Sequence, residues 1–248
     1  MSRNTNKIII SVLLIGSFFL LGDPPENFQF KEMINLASDK EVVIVFNSGG
    51  WGNTPLDQAD DFRPIIEGIQ KTLKDLGYSS VVIPYERTKE SFFGVIEGLK
   101  ETFTFFRKQS QKLAIEIEDF IDNNPENKVI VTGLSNGGAF TDKVMEKISE
   151  DKRNNVFAIE VGTPFWENVL DSDSVLLLDN QGKDPLSAMD LKILLPSFFK
   201  APIKWSLAKV SGQELSLGHA LRLPGHYYDW EEIAPEITLF LENNLVLF

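Results

Sequence analysis

The stretch 128–138, KVIVTGLSNGG, is the feature that most constrains what this chain can fold into. Val129, Ile130 and Val131 form a β-branched run, which favours a strand. Gly133, Leu134, Ser135, Asn136 and Gly137 follow as a Gly-x-Ser-x-Gly pentapeptide, and residues 139–150 carry helical periodicity. The segment therefore predicts strand, tight turn and helix, with a serine at the apex. An apex of this kind holds its backbone in a strained conformation, so the residues two positions away must be small. The free N–H groups at the start of the helix then face any anion formed there. Ser135 is accordingly a candidate nucleophile. The competing reading is an ordinary glycine-rich turn with a surface serine.

Composition narrows the chemistry. The 248 residues carry a formal net charge of -12 and a pI near 4.7, which disfavours nucleic acid, whose phosphates need a basic face. No cysteine is present, so disulfides, thiolate metal sites and a cysteine nucleophile are excluded. The two histidines, His219 and His226, are too few for a multi-histidine zinc site, and a histidine base must be one of them. No metal and no organic cofactor is implied. The hydrophobic fraction of 43% supplies a sizeable core and argues against disorder.

At the N-terminus, Arg3 and Lys7 precede an uncharged apolar run, 8–21, ended by Asp23, Pro24 and Pro25. This is the layout of a secretory signal, and it is shorter than the roughly 20 residues that span a bilayer. Three readings stay open: a cleaved signal peptide, an uncleaved membrane anchor, or a buried first helix. Under the first two, the domain lies outside the cytoplasm and residues 1–23 are its route to, or hold on, the membrane. Residues 24–40 read as a linker with a short helix near 31–37, and 41–248 as one domain.

Within that domain, apolar runs alternate with helical patterns. Residues 41–46 (EVVIVF) read as a strand buried on both faces, followed by a glycine-rich loop through Gly49, Gly50 and Gly52. Residues 56–76 read as a helix with Gly77 at its C-terminal cap, and 80–84 as the next strand. A long helical stretch at 89–122, broken near 108–112, leads to the elbow strand. Segments 156–161, 174–178 and 203–210 complete the strand candidates, and 230–243 closes the chain as an amphipathic helix. Such alternation implies an α/β fold, a mostly parallel sheet with helices on both faces.

Ligands of an open parallel sheet bind at the C-terminal ends of its strands. Gly49 and Gly50 follow the first strand, Ser135 the third, Asp184 the fifth and His226 the presumed last one. Asp179 is the alternative acid, and His219, in an apolar setting, the alternative base. Phe92, Phe93, Phe103, Phe105, Phe106, Phe198 and Phe199 read either as core or as lid and pocket residues on segments 86–112 and 186–215.

The order serine, acid, histidine, with the elbow and the glycine loop, resembles the α/β-hydrolase superfamily over most of the chain after residue 40. Gly225-His226 before a helix bearing Phe240-Leu241 is similar to its histidine loop, and 175–185 to its acid loop. The resemblance implies that Ser135 attacks an acyl carbon and that His226 is general base, then acid. It implies that Asp184 fixes the imidazole tautomer, with the Asn136 N–H and the Gly49–Gly50 region as oxyanion donors. The expected partner is a small-molecule or lipid ester. Acyl transfer or thioester hydrolysis would use the same residues, and a non-catalytic binding or scaffold protein on the same fold is the alternative from another class.

Overall fold

In the computed structural model, which describes residues 28–50, 52, 54–87, 106–167, 169–212 and 223–245, the apolar runs become one sheet of five strands. These are β1 (Val42–Asn47), β2 (Ser80–Pro84), β3 (Lys128–Leu134), β4 (Val156–Val161) and β5 (Val175–Leu178). Their order is β2-β1-β3-β4-β5, and every neighbouring pair is parallel. Among the described residues, six main helices accompany them: α1 (Phe28–Leu36), α2 (Arg63–Asp75), α3 (Arg107–Asn123), α4 (Asn136–Met145), α5 (Leu191–Val210) and α6 (Trp230–Leu245). β1 and β4 are buried along their whole length, which is why they read as apolar runs, interrupted only by Asn47 at the end of β1 and Glu160 in β4.

Strand alternation sorts the side chains between the two faces. Val43, Val45, Val129 and Val131 pack with Phe30, Ile34, Leu113, Ile117, Phe120 and Phe140 from α1, α3 and α4. Val42, Ile44, Phe46 and Ile130 pack on the other face with Ile65, Ile69, Ile237 and Leu241 from α2 and α6. A fully buried side chain of this size stabilises by roughly 1.5–3 kcal/mol. In a chain without cysteine these two layers hold the sheet.

The crossover from β1 to β2 uses α2 on one face, and the return to β3 uses α3 on the other. The chain thus reverses its winding between β1 and β3, which opens a crevice at their C-terminal ends. The glycine loop and the elbow both border that crevice.

Several sequence expectations need correction. Residues 203–210 are not a last strand but the second half of α5. The segment IKWSLAKV alternates like a strand, yet Ile203, Leu207 and Val210 also fit helical spacing, and short runs of this kind do not separate the two periods. The single helix expected at 56–76 is a 3-10 turn, Leu56–Gln58, and α2, which starts beside Pro64. Gly77 ends it as expected, with φ of 93° and its N–H on the Lys74 carbonyl. α3 runs through 108–112 without the expected break. α1 sends Phe30 and Ile34 into the core, so residues 28–36 pack as part of the domain.

Residues 1–27, His219, Phe92, Phe93, Phe103, Phe105 and the side chains of Phe198 and Phe199 lie outside the described residues. Phe106 is core: its ring meets Phe140 edge-on at 5.7 Å. Among the described residues, no helix is long and apolar enough to cross a membrane.

Candidate active site

The elbow forms because three backbones meet there. Ser135 has φ 56° and ψ -120°, a conformation that costs a non-glycine residue roughly 1–3 kcal/mol. A Cβ at Gly133 would stand 2.3 Å from the Gly137 carbonyl, and one at Gly137 would stand 2.4 Å from the Asn47 carbonyl oxygen. The pentapeptide glycines are therefore required by close approach, of the turn upon itself and of the turn upon β1. The Ser135 N–H donates to the Val161 carbonyl at 2.8 Å and its carbonyl accepts from Ala139 at 3.0 Å, which anchors the apex to β4 and to α4.

The loop after β1 is held against the elbow. The Asn136 side-chain amide donates to the Gly50 carbonyl at 3.3 Å. Arg87 donates to the Ser48 carbonyl at 2.8 Å while its guanidinium lies 5.1 Å from the Phe106 ring centroid and 5.2 Å from that of Phe140. Asn47, fully buried, donates to the Thr132 carbonyl at 3.3 Å and to Thr141 Oγ1 at 3.4 Å. Gly49, Gly50 and Asn136 thus share one rim of the crevice with Ser135.

Asp184 and His226 are brought together. His226 Nδ1 lies 2.7 Å from Asp184 Oδ2, and Asp184 is completely buried. The other oxygen, Oδ1, accepts the N–H of Leu186 at 2.8 Å and that of Ser187 at 3.5 Å. Burial works to raise the Asp184 pKa. The His226 hydrogen bond and charge, the Tyr228 hydroxyl and the Leu186 N–H outweigh it and hold the carboxyl below its ordinary value. Asp179, the alternative acid, instead accepts the Gly182 N–H at 3.1 Å and closes the turn after β5. The Asn180 amide donates to the Gly225 carbonyl at 3.0 Å, tying the acid loop to the histidine loop.

Gly162 joins the two halves of the site. It follows Val161, the acceptor of the Ser135 N–H, and it sits at φ 61°. A Cβ there would stand 2.7 Å from His226 Cε1 and 2.8 Å from Asp184 Oδ2. The imidazole therefore lies directly on the backbone next to the residue that anchors the serine.

Two residues that sequence reasoning left without a role stand out. Tyr228, buried, donates its hydroxyl to Asp184 Oδ2 at 2.5 Å. The signal for it is its position two residues after His226, on the same side of an alternating segment, while Tyr227 between them is exposed. Glu160 is the lone acid in VFAIEV and is completely buried, which is legible as an anomaly in an apolar strand. Among the described residues its Oε1 has no partner, while Oε2 accepts the Thr163 hydroxyl at 3.3 Å. Burial first, and the charge of Asp142 second, push its pKa well above the ordinary glutamate value. Among the described residues, no cluster of three or more histidine, cysteine or carboxylate side chains could hold a metal.

Neither a protein-family model nor a curated protein matches the sequence. Among solved structures, the cutinase of Trichoderma reesei in complex with a C11Y4 phosphonate inhibitor matches with a TM-score of 0.53 and 12% sequence identity. The match covers 94% of this chain and 97% of that one. A parallel sheet between two helical layers, with an elbow at the end of its central strand, is the α/β-hydrolase fold, and this chain has it.

Proposed function

We propose that this protein is a serine hydrolase that cleaves a carboxylic ester through an acyl-serine intermediate. The observation that carries the reading is the buried Asp184–His226 pair, seated on Gly162 beside the strand end that anchors Ser135 at φ 56°. In this reading the Ser135 hydroxyl adds to the ester carbonyl as His226 Nε2 takes its proton. His226 then passes that proton to the departing alcohol, and water releases the acid by the reverse sequence. Asp184 keeps the other proton on Nδ1, so that Nε2 is free to act as base, and stabilises the imidazolium. The Asn136 N–H, at the start of α4, and the backbone of Gly49 and Gly50 would receive the oxyanion, each donor contributing about 3 kcal/mol.

The substrate we favour has an apolar acyl group. Phe165 and Trp166 follow β4, Met189 and Leu191 follow Asp184, and all four are exposed. The same proposal has the enzyme exported or membrane-anchored through residues 1–23, supported by Arg3 and Lys7 ahead of the apolar run.

Labelling with a fluorophosphonate probe tests the assignment without knowledge of the substrate. The folded wild type should label, and Ser135→Ala and His226→Ala should not. A series of p-nitrophenyl esters then ranks acyl length. A well-folded wild type that neither labels nor hydrolyses any ester, with or without detergent, refutes the reading and favours a binding or scaffold role.

A further inference from the structure

Tyr228 has a choice of surroundings that packing alone does not explain. A buried tyrosine needs one partner for its hydroxyl, and any carbonyl would serve. Tyr228 instead bonds the oxygen that His226 uses. Its ring meets the imidazole edge-on, with centroids 6.2 Å apart and planes at 79°. An ionised carboxylate has about four acceptor sites. At Asp184 they face Leu186 N–H, Ser187 N–H, His226 Nδ1 and the Tyr228 hydroxyl, so both rotation and charge of the group are fixed from four directions.

Resting on the proposed roles of Asp184 and His226, we infer that Tyr228 is a positioning residue of the site. Its hydroxyl holds Asp184 Oδ2 against His226 and draws charge from that oxygen, so that His226 becomes a free base at lower pH than the Asp184–His226 pair alone would allow. A carboxylate that shares one oxygen between two donors stabilises the imidazolium less than one that gives it to the imidazole alone. The ionisable groups bearing on Tyr228 are Asp184, in contact, and Asp179 on the same loop. Burial first, and then these two acids, keep the phenol protonated far above its ordinary range, so it remains a donor.

The test compares wild type with Tyr228→Phe. The His226 imidazole is followed by NMR titration, its signal identified with His226→Gln among the chain's two histidines. In Tyr228→Phe its pKa should rise by about 0.5–1 unit, the size of one ordinary net hydrogen bond. The acid limb of kcat/KM for a p-nitrophenyl ester should move up by the same amount, with kcat on the plateau down about 3- to 10-fold and KM unchanged. In an Asp184→Asn background the Tyr228→Phe substitution should move neither quantity, because the hydroxyl acts through Asp184. If Tyr228→Phe does not fold, a ring-fluorinated tyrosine at position 228, a stronger donor, should shift His226 in the opposite direction.

A folded Tyr228→Phe with an unchanged His226 titration and pH profile sinks the inference and leaves Tyr228 as packing. The titration needs no turnover. A wild type that resists the fluorophosphonate but shows the His226 shift therefore refutes the hydrolase reading alone.

Discussion

Asp184 and Glu160 are both completely buried, the first against Gly162 just past the end of β4 and the second within that strand, and their acidities move in opposite directions. Asp184 is surrounded by donors: two backbone N–H groups, an imidazole and a phenol. Glu160 has one hydroxyl at 3.3 Å, and the carboxylates of Asp142 and Glu167 face it, with Lys143 as the local cation. Lys143 meets Asp142 at 3.1 Å, Glu146 at 2.6 Å and Glu167 at 3.2 Å, so its charge is shared among three acids before Glu160 draws on it. Burial raises both groups. The number of donors decides which one stays ionised. The end of β4 is thus built to hold a charge next to an imidazole, and the strand itself to hold a proton beneath the elbow helix.

The largest effect is expected from removing the charge at Asp184. Asp184→Asn keeps the shape, but its amide can donate to Nδ1 and leave the proton on Nε2, the nitrogen that must act as base. Under the proposed mechanism kcat falls roughly 10³–10⁴-fold. Steady-state hydrolysis of a p-nitrophenyl ester measures this, and a loss below about 10-fold counts against Asp184 as the partner of His226.

Gly162→Ala breaks the contact between the two halves of the site. The added carbon would stand 2.7 Å from His226 Cε1 at a φ of 61°, so the imidazole must leave its place. Activity should drop by about 100-fold, as for a misplacement of this size, while the melting temperature moves by only a few degrees. Equal activity of the two proteins would show that the histidine is not seated on this backbone.

Glu160→Gln gives the smallest effect and the most direct comparison. The folded Glu160 keeps its proton at pH values where the unfolded chain has lost it. Its contribution is whole below the unfolded glutamate value of about 4.3 and is lost as pH rises toward the folded value. Asp184 has the opposite sign: its contribution is whole above the unfolded aspartate value of about 3.9 and is lost as pH falls through the lowered folded value. Glutamine cannot ionise. The variant should therefore melt a few degrees above wild type at pH 9 and close to it at pH 5, with Asp142 and Glu167, both raised by burial first, leaving some slope in each curve. Parallel melting curves from pH 5 to 9 would show that Glu160 does not titrate in this window.

The parallel sheet was legible because burial on both faces writes itself as unbroken β-branched runs, as in VVIVF of β1 and KVIV of β3. The elbow was legible because its steric requirements fall on residues two positions from the serine, within one pentapeptide. Helix and strand were confused at 203–210, where eight residues satisfy both periods. Tyr228 and Glu160 left a trace in the sequence, but the partners that give them a role did not, for a different reason. A tyrosine after a histidine and a glutamate in a strand acquire meaning only from partners 44 and 3 residues away in sequence.

By itself the sequence determined most of the local geometry: the five strand runs of the sheet, where the turn tightens around Ser135, and that any histidine base is His219 or His226. Only the tertiary structure decided which acid meets His226, because Asp184 and Asp179 lie on one loop and differ solely in what the fold brings to them. His226 stands against Asp184, and Gly182 N–H against Asp179. Local rules act through sterics within a few bonds, whereas the pairing of charges and the acidity of buried groups depend on how the sheet assembles distant residues around them.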